Sequence, residues 1–374
     1  QVYFNPNPFL LSLISPYKKS SFRINDINPN DIWLENKKYK IKKYHSFLWL
    51  NLLDRKIDGK NIQRIIYLWT LKYSNFKNKI WENAILSSRV ISWMLNIDII
   101  ISNATFDFKK KVFQNIICQC NHLRKNIKYE KNPAKRIQVV TALILSGIVF
   151  KEYKSNYEVG IKELEKFVKH YFDSDGFPLT RNPNDLILFT QYLLLCHENI
   201  YEAQEFVPDF LGEIIQKNLL CIKLFKTPDD KLPLFNGSSE NTINHLEKYL
   251  EKFKLSKKDK KNTLGGIFFA KSKNQILFLD IGPPPEKNFS RNYQSGPLSF
   301  EYYLDGIKII SNSGFGNNIS AKAELISRLT ASQSTLTIND TSITKFERSK
   351  LINRVFGNSI KNTFKIEESI IKND

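Results

Sequence analysis

The chain has 374 residues, enough for two domains, and its 42% hydrophobic and 13% aromatic residues can form a substantial core. This composition excludes intrinsic disorder as the default expectation. The formal net charge of +19 favours an acidic partner such as nucleic acid, an anionic lipid surface or an acidic polysaccharide. The alternative is that its lysines are spread over every solvated face. The sequence has no apolar run long enough to span a membrane, so no transmembrane segment is expected.

The cysteines predict neither a disulfide framework nor a zinc site. None of Cys118, Cys120, Cys196 and Cys221 belongs to a CxxC pair, and the first two point to different faces of one predicted helix. The five histidines show no HExxH-type spacing. We therefore expect no metal and no cofactor.

The ends of the sequence predict a piece of a longer protein. The chain begins with Gln1 and has Met94 as its single methionine, and its last residues, 364–374, end without a closing structural element. We expect its C-terminal domain to be incomplete.

Helical periodicity follows an irregular N-terminal segment, 1–43, in which Asn-Pro pairs predict turns. Apolar residues then recur at spacings of three and four, as in Ile62, Ile65, Ile66 and Trp69. The pattern predicts about nine helices, near 44–53, 62–69, 81–101, 107–126, 134–153, 157–172, 184–198, 203–220 and 239–253. Short connections favour antiparallel pairs, and no fixed repeat length indicates a solenoid array. We therefore predict a helical domain over 44–256, whose helix pairs could form a curved or toroidal layer.

The hydrophobic period changes from 3.6 to 2 after a charged linker at 257–262. Strands are predicted at 266–270, 275–280, 298–303, 307–311 and 334–338, with Asp305-Gly306 as a hairpin turn between the third and the fourth. Such a meander predicts a β-sandwich or super-sandwich domain over 263–374.

Short motifs run through both predicted domains in a fixed order. Trp81, Arg89 and Trp93 share one helix, and Asp-Gly-Phe-Pro-Leu-Thr-Arg-Asn-Pro follows at 175–183. Leu-Phe-Asn-Gly lies at 234–237, Ser-Gly-Pro-Leu-Ser-Phe-Glu at 295–301, Asn-Ser-Gly at 312–314 and Arg-Leu-Thr-Ala-Ser-Gln-Ser-Thr-Leu at 328–336. This ordered set, across residues 81–340, resembles the motifs of bacterial heparinase II/III-like proteins.

The resemblance implies an α+β multidomain fold, an incomplete (α/α) toroid followed by an antiparallel β-sandwich. It further implies a polysaccharide lyase, a carbon–oxygen lyase that cleaves a uronate-containing acidic polysaccharide by β-elimination. A location in the cell envelope or periplasm is also implied by the family. Nucleic acid is not expected as a partner, and the sequence does not indicate an oligomeric state.

β-Elimination must neutralise the uronate carboxylate, remove the C5 proton with a base, and protonate the leaving oxygen. Arg181 and Asn182 fit the first role by residue type, at the start of a predicted helix whose backbone N–H groups also face an anion. Tyr293 is the candidate base, and a packed tyrosine is the alternative. The structural alternative for Asn182 is that it is the N-cap of a helix whose first residue is Pro183.

Three further candidates would bind substrate, namely Asn236, Gln294 and Gln333; Asn236 could instead cap or brace the domain junction. The family has histidines at the positions of Pro178, Gln294 and Gln333 in this chain. Glutamine donates and accepts hydrogen bonds but does not exchange a proton near neutral pH. Two hypotheses therefore stand beside the lyase: a non-catalytic glycan-binding protein in which these glutamines bind sugar hydroxyls, and a helical scaffold whose basic surface binds partners or nucleic acid.

Overall fold

The structure, a computed structural model, describes residues 1–16, 38–55, 59–76, 78–254, 261–347, 359–362, 364 and 366. Within these ranges, α-helices dominate up to residue 252, and antiparallel strands follow from residue 263. The helices are α1 (Lys38–His45), α2 (Gly59–Tyr73), α3 (Asn83–Leu95), α4 (Ile97–Ile101), α5 (Phe106–Asn126), α6 (Pro133–Val149), α7 (Lys154–Tyr171), α8 (Pro183–Glu202), α9 (Asp209–Phe225), α10 (Glu247–Lys252) and α11 (Ala321–Ser327).

Two predicted helices are divided by residues that break the helical backbone. The predicted helix near 44–53 is the end of α1 followed by a 3₁₀ helix, Leu48–Leu52, because Phe47 between them adopts a left-handed conformation with φ 57°. The predicted helix near 81–101 divides into α3 and α4 at Asn96, whose side chain donates to the Ser92 carbonyl at 2.8 Å. A polar side chain that bonds to the local backbone competes with helix propagation.

Contacts divide the chain into two compact units, and each holds its own core. The first comprises Gln1–Phe167 and Gln191–Gly212, and in it α3 packs against the nearly fully buried α6. Asn132 caps α6 by accepting the Lys135 N–H, with Pro133 in the first turn, as favoured at helix starts. Within the described residues, no helix has both the length and the apolar content that a membrane span requires.

The second unit comprises Val168–Thr190 and Glu213–Asp374 and contains the strands. A five-stranded antiparallel sheet runs in the order β1 (Thr263–Leu264), β2 (Ile267–Lys271), β3 (Gln275–Asp280), β4 (Phe300–Leu304) and β5 (Ile307–Ile310). A second, two-stranded sheet pairs β6 (Lys345–Phe346) with β7 (Ile360–Asn362). The inward faces of β2 and β3 place Phe269 and Phe278 against Phe225 of α9, which forms the aromatic core of this unit.

The predicted strand at 334–338 is wrong. A 3₁₀ turn at Thr330–Ser332 precedes it, and the Ser334 hydroxyl donates to the Phe300 carbonyl and accepts the Phe300 N–H. Leu336 is 75% exposed, so the alternating pattern there does not mark a buried face. Of the predicted linker, residues 257–260 lie outside the described residues. The domain ranges 1–43, 44–256 and 263–374 remain a proposal.

A buried histidine in the first unit makes its stability depend on pH. The Nδ1 atom of His45 accepts the indole N–H of Trp69 at 3.0 Å, and the His45 carbonyl accepts from Arg89. Burial, with the nearby positive charges of Arg89 and Lys72, lowers the pKa of His45 from 6.5 to about 3. The folded imidazole is therefore neutral at pH 5, whereas an unfolded one is largely protonated.

We expect the free energy of unfolding to fall as the pH drops below 6.5, by up to about 1.4 kcal/mol per pH unit from this group. His45→Asn keeps an acceptor for Trp69 and removes the titration. Urea unfolding between pH 7 and pH 5 should show a shallower decline for the variant. Identical pH slopes for the two proteins would contradict a neutral, buried His45.

Candidate functional site

Arg181 lies at the centre of a buried polar network in the second unit. It forms an ion pair with Asp280, the last residue of β3, and the two side chains are 8% and 1% exposed. Its Nε donates to the Gly265 carbonyl at 2.7 Å, and Nη2 donates to that of Gly266 at 3.1 Å. Nη1 donates to the carbonyls of Gly282 and Pro283 at 3.2 and 2.6 Å.

These contacts use every donor of the guanidinium. An arginine side chain has five N–H groups in a planar fork, and here each of them has an acceptor within the protein. The backbone of Arg181 also adopts a left-handed conformation, with φ 56°, which costs a non-glycine residue conformational free energy. The geometry therefore favours a structural role for Arg181 over the predicted direct contact with a substrate carboxylate.

Asn182 begins helix α8. Its side-chain oxygen accepts the Asn184 N–H at 2.9 Å, which is the N-cap arrangement, and Pro183 takes the first helical position. Three residues on, Asp185 accepts from the Thr180 hydroxyl at 2.8 Å, and burial raises the pKa of this carboxyl to about 6. The side chain of Asn182 is buried and engaged, as the structural alternative for this residue expected.

Asn236 joins the same network from the Leu-Phe-Asn-Gly segment. Its Nδ2 donates to the Arg181 carbonyl at 3.2 Å and to the second oxygen of Asp280 at 3.3 Å. Asn236 is itself left-handed, with φ 54°, a conformation that asparagine tolerates. One carboxylate, Asp280, thus holds both predicted residues.

Tyr293 lies in the interior of the unit and is 1% exposed. Its hydroxyl has no hydrogen-bond partner among the described residues. Burial raises the pKa of this phenol, and the negative charge of Asp280 raises it further against the opposing effect of Arg181. A phenol in this environment keeps its proton, so the geometry does not favour the predicted role as a base.

The two glutamines bind the backbone of the β unit. Gln294 accepts the Gly237 N–H at 2.9 Å and donates to the carbonyls of Gly314 and Ser327 at 3.1 and 2.7 Å. Gln333 donates to the same Ser327 carbonyl at 2.7 Å. The polar atoms of Gln294 and Gln333 are therefore engaged with buried backbone groups of the protein.

A cavity of about 500 Å³ opens beside this network, lined by Lys169, His170, Pro178, Arg181, Glu286 and Phe289, among others. The α7–α8 connection forms one side of it, because the Leu179 N–H donates to the Tyr171 carbonyl at 2.9 Å and brings 170–173 beside 177–181. Pro178 and the imidazole of His170 line the same cavity. The cavity therefore holds cationic and titratable side chains next to the predicted motif.

Two important residues were missed by sequence reasoning. Asp280 ends an apolar strand on the same face as Phe278, and an acidic residue on the buried face of a strand signals a buried partner. His170 was set aside because it lies on a predicted helix with no metal-ligand spacing. Its nearness to Pro178 follows from the backbone pairing across the α7–α8 connection, which the sequence pattern does not reveal.

The comparisons with known proteins agree on one family. The model for the heparinase II/III N-terminus matches residues 71–262, and the model for the heparinase II/III-like C-terminal domain matches residues 256–372. A comparison with curated proteins finds no match. The chain belongs to the heparinase II/III-like family.

Solved structures show the same fold. A crystal structure of heparinase III superposes with a TM-score of 0.65 at 16% identity, over 93% of this chain and 65% of that one. The heparan sulfate lyase HepC from Pedobacter heparinus gives 0.58 at 18% identity, over 91% of this chain and 62% of that one. The chain thus spans less than two thirds of either protein. The fold class predicted from the sequence, an incomplete (α/α) toroid followed by an antiparallel β-sandwich, is confirmed.

Two glycines make room for the guanidinium of Arg181. A Cβ on Gly282 would lie 2.5 Å from Nη2 of Arg181, and one on Gly266, whose φ is +74°, would lie 2.8 Å from it. Gly282→Ala is expected to displace the guanidinium from its acceptors and to lower the free energy of unfolding by about 1–3 kcal/mol. Thermal and urea unfolding measure the loss.

Gly212→Ala is the matched control, because a Cβ there meets no atom within 4 Å inside helix α9. Alanine at an open helical position stabilises by up to about 1 kcal/mol. If Gly282→Ala were as stable as the wild type, the close packing around Arg181 would be refuted.

Proposed function

We propose that this protein is a polysaccharide lyase-like protein that acts by β-elimination on a uronate-containing acidic polysaccharide. The observation that carries the proposal is the cavity beside Arg181, where a segment of the family motif meets the ammonium of Lys169 and the imidazole of His170. Family membership and the fold of heparinase III support the reaction class.

The cavity residues can supply the steps that β-elimination requires. Lys169 would neutralise the uronate carboxylate, which makes the C5 proton more acidic. His170 would remove that proton, since histidine is the residue type that most often transfers protons near neutral pH. The electron pair then forms the C4–C5 double bond, and the C4–O bond to the leaving sugar breaks as that oxygen takes up a proton.

In this proposal, the residues predicted from the motifs hold the cavity in place and do not take part in the reaction. Arg181, Asn182 and Asn236 hold the α7–α8 connection and the strand ends that form the cavity wall. Tyr293, Gln294 and Gln333 support the same unit from its interior. None of them needs to touch the reacting atoms.

The charge and the setting of the protein support an acidic substrate. A net charge of +19 attracts a polyanion, and salt should weaken that attraction. We further propose a cell-envelope or periplasmic location, which rests on the family resemblance.

The alternative is a non-catalytic glycan-binding protein on the same scaffold. One observation favours it: the polar groups of Arg181, Asn236 and Gln294 are bound within the protein, and the phenol of Tyr293 is buried with a raised pKa. In this case the cavity would hold a sugar without proton transfer.

Incubation with a panel of uronate polysaccharides, followed by ultraviolet absorbance of the unsaturated product, distinguishes the two. If the lyase proposal holds, product accumulates, and His170→Gln lowers kcat by about 100-fold or more, as expected for loss of a general base. The unfolding temperature should change little.

His197→Gln serves as the control, since His197 is a partly exposed histidine beside Glu198 on α8, outside the cavity. It should leave turnover unchanged. Binding of a uronate polysaccharide without any unsaturated product would refute the lyase and favour the glycan-binding alternative. Equal turnover by the wild type and His170→Gln would refute the role of His170.

A further inference from the structure

A second cavity, of about 700 Å³, lies within the helical unit and is unrelated to the motif residues at 175–183. The α2–α3 connection supplies Phe76, Lys79 and Trp81, and the end of α5 with the following turn supplies His122, Asn126 and Tyr129. We call this set of six residues the aromatic groove. Of its aromatic side chains, Phe76 and Tyr129 are each 67% exposed.

The rings of the aromatic groove are fixed by their packing. Phe76 lies 5.3 Å from the His122 ring and 6.0 Å from Trp81, and Trp81 meets His122 edge-on at 5.4 Å. The indole N–H of Trp81 donates to the Tyr73 carbonyl at 3.2 Å, which sets the ring orientation. Phe76, held against two rings, and the exposed Tyr129 present apolar surface in one cavity that water solvates poorly, and such surface commonly marks a binding site.

The charged groups around the groove leave a positive charge available. Glu82 forms an ion pair with Lys135, and Glu130 accepts from the Asn83 amide and the Asn132 N–H at 2.8 and 2.9 Å. Lys135 therefore balances the charge of Glu82, whereas Glu130, whose two donors are neutral, keeps its negative charge.

The ammonium of Lys79, by contrast, is exposed and has no hydrogen-bond or ion-pair partner among the described residues. A second cation, Lys128, lies 4.8 Å from the Tyr129 ring centroid. Lys79 and Lys128 thus outweigh the single negative charge of Glu130 at the groove.

The remaining polar groups suit hydroxyl ligands. Burial and the charge of Lys125 lower the pKa of His122, so its imidazole is neutral near pH 7 and can donate or accept one hydrogen bond. Asn126, which lines the cavity, donates its N–H₂ group to the His122 carbonyl at 2.8 Å, so its side-chain oxygen remains an acceptor.

We propose that the aromatic groove is a sugar-binding subsite for an acidic glycan. The C–H face of one pyranose ring stacks on Phe76 or Tyr129, its hydroxyls bond to Asn126 and His122, and its carboxylate or sulfate pairs with Lys79. The inference rests on the proposed function, because the same acidic polysaccharide supplies the sugar. Phosphate-rich nucleic acid fits less well, because it calls for a row of cations, whereas the six groove residues include one lysine, Lys79, with Lys128 beside the Tyr129 ring.

Titration calorimetry of the whole chain tests the subsite with two probes, a heparosan hexasaccharide and an oligogalacturonate hexasaccharide. The variant Phe76→Ala/Tyr129→Ala should weaken binding by about tenfold or more, the range of a lost aromatic contact at a binding hot spot. Lys79→Gln should weaken it by a smaller factor that disappears at high salt.

Phe106→Ala/Tyr201→Ala is the matched control, because these aromatics are 80% and 70% exposed in the same unit but outside the groove. Lys110→Gln controls for the loss of one surface charge. Both controls should bind as the wild type does, and unfolding temperatures should show that all variants fold.

The possible outcomes separate the two proposals. If Phe76→Ala/Tyr129→Ala binds the hexasaccharides as tightly as the wild type does, the subsite is overturned and the proposed function still stands. Failure of the wild type to bind or cleave these two probes and every other member of the uronate polysaccharide panel overturns the proposed function and the subsite with it. A third outcome is that Phe76→Ala/Tyr129→Ala weakens binding of single-stranded oligothymidylate but leaves binding of the two hexasaccharides unchanged. That result overturns the assignment to a glycan.

Discussion

The guanidinium of Arg181 is the interaction on which the second unit depends. It draws together the start of α8, the two-glycine turn between β1 and β2, and the end of β3, where Asp280 balances its charge. A buried ion pair stabilises only when its remaining hydrogen-bonding capacity is filled. Here four backbone carbonyls fill it, so the turn and the strand end must lie where those carbonyls point.

The same principle explains most of the family motifs in this chain. Glu301 of the Ser-Phe-Glu segment is fully buried, accepts the Leu234 N–H and the Asn312 N–H at 3.2 and 3.1 Å, and pairs with Lys308. Asn312 in turn accepts from the N–H of Ser334 at 3.0 Å. The ordered motifs are therefore the points at which irregular segments are tied to the sheet, since a buried backbone group without a partner costs free energy. The candidate chemistry is left to side chains of the cavity beside the 175–183 motif.

Much of the fold was predictable from the sequence because its signals are local. Period-3.6 apolar spacing predicted the helices, and the Asp305-Gly306 turn does join β4 to β5, with both residues at positive φ. The errors came from single residues within predicted helices: Phe47, whose ring packs against Trp69 and Trp93, and Asn96, whose side chain bonds to the local backbone. The 334–338 segment failed because Ser334 and Asn312 satisfy it with side-chain hydrogen bonds that a hydropathy pattern does not contain.

Several residues of the site could be predicted from the sequence, but their roles could not. Resemblance selected Arg181, Asn236 and Gln294, and the structure does bring them together. Their role depends on what their polar atoms contact, and those partners are backbone carbonyls and Asp280, which residue type alone cannot indicate. His170 became a candidate only through the pairing across the α7–α8 connection, which places it in the same cavity as Pro178.

A double-mutant cycle between Arg181 and Asp280 tests whether the second unit depends on the Arg181 guanidinium. Urea unfolding of Arg181→Met, Asp280→Asn and the double variant gives the coupling free energy between the two side chains. We predict that each single change lowers the free energy of unfolding by about 3–5 kcal/mol, since it strands a buried charge, and that the double variant loses less than the sum, with a coupling of about 1–3 kcal/mol. Additive effects within about 0.5 kcal/mol, with small losses for each single change, would show that Arg181 is not the structural centre of this unit.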